Sequence, residues 1–66
     1  MNLLPVSSSR MSRVGWENNS MYIEFKNGRI YVYDNVSKCE YESFVNSPSL
    51  GSALYVFDKK HTYRPL

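Results

Sequence analysis

The segment YIEFKNGRIYVYD, Tyr22 to Asp34, carries the most regular pattern in the chain and decides how the rest is read. Apolar and polar residues alternate up to Asn27-Gly28 and again after it. Alternation with period two marks a strand buried on one face. Asn-Gly between two such runs signals a hairpin, because a type I′ turn needs positive φ at both central residues. A two-residue turn there sets Phe25 opposite Ile30, Ile23 opposite Val32, Glu24 opposite Tyr31 and Tyr22 opposite Tyr33. Directly opposed residues share a face.

Working outward toward the N-terminus, Asn18-Asn19 is a second turn signal and Arg10 to Trp16 is compatible with a strand. A two-residue turn here sets Trp16 opposite Met21, Val14 opposite Ile23 and Arg13 opposite Glu24. Both hairpins then give one partition. Val14, Trp16, Met21, Ile23, Phe25, Ile30 and Val32 form the core face. Arg13, Tyr22, Glu24, Lys26, Arg29, Tyr31 and Tyr33 form the other. A three-residue bulged loop at either turn breaks this parity. Residues 1–9, with Pro5 and Ser7-Ser8-Ser9, read as a flexible N-terminal arm.

Toward the C-terminus, Ser37-Lys38-Cys39-Glu40 reads as a capping box with Ser37 as N-cap, and Val36 and Tyr41 occupy the staple positions. Tyr41, Phe44 and Val45 make an i, i+3, i+4 apolar stripe. Ser47-Pro48 ends this helix and opens the way to another, with Pro48 suited to a first turn. Leu50, Ala53, Leu54 and Phe57 follow at helical spacing, giving a second helix to about Lys59. The tail, His61 to Leu66, is suited to an edge strand that Pro65 ends. The expected fold is α+β: a three-stranded antiparallel meander followed by two short helices, in one domain over residues 10–66.

Length and composition bound the function. Sixty-six residues bury a modest core, so oligomerisation is the expected source of further stability. Cys39 is the single cysteine, which excludes an internal disulfide and fits a reducing, cytoplasmic setting. No apolar run approaches the length of a membrane span, and the start has no signal-peptide pattern. The net charge of +2 is mild for a nucleic-acid binder.

No catalytic set is visible. His61 is the single histidine, and Cys39, in the first turn of a helix, has no third orienting group. The expectation is a half-buried structural thiol and an exposed histidine. Metal-ligand spacing and phosphate-loop glycine patterns are absent. The chain is therefore expected to be no enzyme and to carry neither metal nor cofactor.

The order Ser8-Ser9, Val14-Gly15-Trp16-Glu17, Phe25-x-x-Gly28, Tyr31-x-Tyr33, Val36, Tyr41 and Ser47-x-Ser49-x-Gly51 resembles the KTSC domain. That family is named for its occurrence at the C-terminus of some lysyl-tRNA synthetases. The resemblance runs from about residue 7 to the end. It departs at Ser37, where the family usually has proline, and in a tail where Tyr63 is the remaining aromatic. It implies a small domain, free-standing in the bacterial or phage type or appended to a larger protein, without established chemistry. RNA binding is suggested by the synthetase context.

Tyr22, Tyr31 and Tyr33, flanked by Arg13, Lys26 and Arg29, remain to be explained. Three readings compete: cross-strand pairing on a solvated face, a protomer or tail interface, and a base-stacking platform with cations for phosphate. Ser9 and Arg10, where the arm meets the first strand, and Lys60, Tyr63 and Arg64 near the C-terminus, are further candidates for phosphate contact. Trp16 is expected as a core anchor. The functional expectation is a non-enzymatic binding protein, cytoplasmic (in the host if phage-encoded) and homo-oligomeric. Its ligand is a small signalling nucleotide sequestered between protomers, or RNA. The alternative is a protein-interaction or inhibitor module using the tyrosine face.

Overall fold

The computed structural model describes residues 3–66. Its elements in chain order are β1 (Leu4–Pro5), β2 (Met11–Glu17), β3 (Ser20–Phe25), β4 (Ile30–Asp34), α1 (Lys38–Val45), α2 (Leu50–Lys60) and β5 (Tyr63–Pro65). The strands form one antiparallel sheet in the order β1-β2-β3-β4-β5. The α+β class and the central meander are as expected from the sequence, with a short strand added at each edge. β1 comes from the segment read as an arm: Leu4 and Pro5 stand opposite Val14 and Arg13, and Val6 packs against the core. Met1 and Asn2 of that arm lie outside the described residues. β5 is the anticipated edge strand, with Tyr63 opposite Tyr33.

The first hairpin follows its sequence signal. Asn18 and Asn19 both take positive φ, at 52° and 61°. Trp16 stands opposite Met21, Val14 opposite Ile23 and Arg13 opposite Glu24.

The second hairpin does not. Met21 pairs with Tyr33, Tyr22 with Val32, Ile23 with Tyr31 and Glu24 with Ile30. The register lies one residue from that of a two-residue turn, so every β4 side chain changes face. The cause is local. Gly28 alone in this turn has positive φ, at +90°. Its N–H donates to the Phe25 carbonyl at 2.9 Å, while the Phe25 N–H donates to the Arg29 carbonyl at 2.8 Å. Asn27 instead uses its side chain, whose Oδ1 accepts from the Arg29 N–H at 3.0 Å. The result is a type I turn with glycine in the bulge position, closing a three-residue loop.

This corrects the face partition. Tyr31 and Tyr33 lie on the same face as Val14, Trp16, Met21 and Ile23. Ile30 and Val32 lie on the opposite face, where Val32 sits between Tyr22 and Arg64 in register and is buried. Both helices pack on the tyrosine-bearing face. Phe44, Leu54 and Phe57 join Met11, Val14, Met21, Ile23, Tyr33 and Val36 in one core.

Helix α1 starts with the expected capping box. The Glu40 N–H donates to Ser37 Oγ at 3.1 Å, and the Ser37 N–H donates to Glu40 Oε1 at 3.2 Å. Helix α2 is capped by Ser49, so Pro48 precedes the cap and does not occupy the first turn. Trp16 anchors the link between sheet and α1: its Nε1–H donates to the Val36 carbonyl at 2.7 Å.

Candidate ligand-binding site

The shifted register brings an aromatic row under α2. Tyr33 and Tyr63 stack with centroids 5.1 Å apart and planes 26° apart. Tyr31 meets Tyr63 edge-on at 6.1 Å and Phe25 edge-on at 5.7 Å. These rings border a cleft of about 280 Å³, which Leu54 and Asp58 of α2 and the exposed Arg10 and Asn27 also line. The Tyr33 hydroxyl donates to Asp58 Oδ1 at 2.7 Å. Burial, reinforced by that bond to a carboxylate, pushes the Tyr33 phenol far above the ordinary tyrosine range. Tyr63 keeps 48% of its surface exposed, so it offers ring area to a ligand.

A second depression, of about 290 Å³, adjoins the first and shares Arg10, Phe25 and Asn27 with it; Ser9 and Lys26 complete its lining. Backbone hydrogen bonds hold this region together. The Lys26 N–H donates to the Arg10 carbonyl at 3.0 Å, and Ser8 Oγ accepts from the backbone N–H groups of Arg10 and Met11. Its charged lining residues are both cations. Among the described residues no carboxylate pairs with the Arg10 guanidinium. A third depression, of about 360 Å³, lies beside Gly28, Arg29, Ile30, Pro65 and Leu66. It has no aromatic wall and only one charged side chain.

The structure thus gathers six of the residues singled out in the sequence: Ser9, Arg10, Lys26, Tyr31, Tyr33 and Tyr63. The others lie elsewhere. Tyr22 is on the opposite face of the sheet, not beside Tyr31 and Tyr33. Arg13 shares that opposite face and is spent on a two-point ion pair with Glu24, at 2.7 and 2.9 Å. This pair holds the Glu24 carboxyl below its usual range. Arg64 reaches Asp34 at 3.4 Å. Arg29 borders the third depression, and Lys60 is exposed at the end of α2.

Two lining residues escaped the sequence reading. Asp58 continues the inner stripe of α2, four residues after Leu54, and an acid in that register is the signal that was available. Asn27 signals only a turn in the sequence, yet it lines both depressions.

The expectation for Cys39 and His61 is reversed. Cys39 is exposed. His61 is the enclosed residue, with 9% of its side chain exposed. Its ring nitrogens lie 3.2 Å from the Asp34 carbonyl and 3.1 Å from Glu40 Oε2, and its ring packs on Phe57 at 4.9 Å. His61 therefore ties the end of α2 to the end of β4 and the start of α1. The Ser37 N–H and then His61 hold the Glu40 carboxyl below its ordinary value. Among the described residues, no group of three or more His, Cys, Asp or Glu is placed to hold a metal ion. No helix of the described residues is long and apolar enough to cross a membrane.

A five-stranded antiparallel sheet with two helices on one face and an aromatic cleft beneath the second helix defines a small α+β fold. The KTSC domain model matches residues 7–63, and the chain belongs to that family. It is similar to the crystal structure of a KTSC domain protein from Yersinia pestis, with a TM-score of 0.89 and 29% identity over 98% of this chain and 96% of that one. No curated protein matches the chain.

Proposed function

We propose that the protein binds a small, phosphate-bearing nucleotide without acting on it chemically, as a sequestering protein would. One observation carries the reading: the aromatic cleft and the cationic depression adjoin and share Arg10 and Asn27. The two halves match the two halves of a nucleotide. Tyrosine rings offer a stacking surface to a base, and base–aromatic stacking contributes about 1–3 kcal/mol. Arg10 and Lys26, with the Ser9 hydroxyl, suit a phosphate group. Arginine serves this best, because its planar fork engages two phosphate oxygens at once.

Each depression is close to the lower end of small-molecule sites, which begin at about 300 Å³. That size, with the net charge of +2, favours a mononucleotide over a long RNA, whose binding draws on many phosphate contacts. The test is calorimetric titration with nucleoside monophosphates at low and at moderate salt. Binding should weaken with salt. Arg10→Ala should weaken it roughly tenfold or more, since a hydrogen bond to a charged group contributes about 1.5–3 kcal/mol. Arg13→Ala, on the opposite face, should leave it unchanged. Absence of binding by any monophosphate overturns the proposal, and binding of RNA alone transfers it to a different ligand class.

A further inference from the structure

Resting on that reading, we infer that the cleft selects guanine over adenine and that Asp58 makes the choice. Asp58 stands one helical turn beyond Leu54 on α2 and lines the same cleft as the stacked Tyr33 and Tyr63 rings. Its Oδ1 accepts from the Tyr33 hydroxyl at 2.7 Å, which fixes the carboxylate relative to the sheet. Its Oδ2 has no hydrogen-bond partner among the described residues. No described cation forms an ion pair with it either. An anchored carboxylate with an open oxygen at the edge of an aromatic site is an acceptor waiting for donors.

The bases differ in what they present to such a group. The Watson–Crick edge of guanine carries two adjacent donors, the N1–H and the 2-amino group. A carboxylate accepts both, because each of its oxygens has two lone-pair sites and the tyrosine occupies only one. Adenine presents an amino donor beside the bare N1 lone pair. That lone pair faces a negative oxygen, so the contact is half attractive and half repulsive. Hypoxanthine keeps N1–H and lacks the 2-amino group, and falls between. A well-formed bidentate contact to a base edge is worth about 1–3 kcal/mol of discrimination, on the order of tenfold to a hundredfold in affinity.

The experiment is isothermal titration of the full chain with guanosine, inosine and adenosine monophosphates, on the wild type and on Asp58→Asn. Asparagine keeps an acceptor for the Tyr33 hydroxyl, and circular dichroism checks that the variant is folded. A second variant, Tyr33→Phe, frees the carboxylate without removing it. The expected wild-type order is guanosine, then inosine, then adenosine, with the first and last separated by roughly tenfold or more. Asp58→Asn should collapse this spread to about threefold or less, and Tyr33→Phe should narrow it less. Equal binding of all three by the wild type overturns the guanine inference and leaves nucleotide binding standing. A guanine preference that survives in Asp58→Asn overturns the role of Asp58. Binding of none overturns both.

Discussion

The Tyr33 hydroxyl donates a 2.7 Å hydrogen bond to Asp58 Oδ1, joining the middle of β4 to the inner side of α2 across 25 residues. The Tyr33 side chain is otherwise enclosed, with 2% of the residue exposed, and its ring lies on that of Tyr63. Replacing the hydroxyl by hydrogen keeps the stack and removes the bond. Tyr33→Phe should destabilise the protein by about 1–2 kcal/mol, lowering the Tm in thermal unfolding by several degrees for a domain of this size. A larger loss would mean that the ring itself had moved.

The same bond sets an alkaline limit. Burial and then Asp58 raise the Tyr33 phenol in the folded state above its ordinary value near 10. Its contribution is therefore complete below pH 10 and is lost as pH rises from there toward the higher folded value. Wild-type stability should fall across this window more steeply than that of Tyr33→Phe. Phenolate absorbance during alkaline titration should show Tyr33 ionising together with unfolding.

The capping box of α1 predicts the opposite sign in acid. Glu40 is held below its ordinary value of 4.5 by the Ser37 N–H and then by His61. Its contribution is present above pH 4.5 and is lost as pH falls through the lowered folded value. The difference in Tm between wild type and Glu40→Gln should be full at neutral pH and close progressively below pH 4.5. Ser37→Ala, which removes the other half of the box, should cost about 1 kcal/mol.

Gly28 holds the register that puts Tyr31 and Tyr33 under the helices. Its φ of +90° is strained for any side chain, yet a Cβ built there meets nothing within 4 Å. The cost of Gly28→Ala is thus conformational and not steric, about 1–2 kcal/mol in equilibrium unfolding. The protein should keep its sheet register, visible as cross-strand contacts between Met21 and Tyr33.

Much of this was legible in the chain. The capping box, the apolar stripes of both helices and the Asn18-Asn19 turn are local signals, and the structure follows each of them. The second turn was not legible in full. Asn27-Gly28 supports either a two-residue turn or a three-residue bulged loop, and the bulged loop is the one formed, with the Arg29 N–H donating to Asn27 Oδ1. That single residue of register moved Tyr31 and Tyr33 from an open face to a cleft. It separated them from Tyr22 and Arg13 and brought them to Arg10 and Asp58. Strand β1 was also hidden, because two residues containing a proline give no periodicity. The burial of His61 has no local signal, because its partners, the Asp34 carbonyl and Glu40, lie 27 and 21 residues away.

The central claim is that the cleft created by this register is where a nucleotide sits. The most direct measurement is chemical-shift mapping of the isotopically labelled protein during titration with guanosine monophosphate and, separately, adenosine monophosphate. The account predicts saturable shifts at Arg10, Asn27, Tyr31, Asp58 and Tyr63, with Tyr22 and Arg13 on the opposite face unmoved. Shifts clustered at Tyr22, Arg13 and Arg64, or none up to millimolar nucleotide, would contradict it.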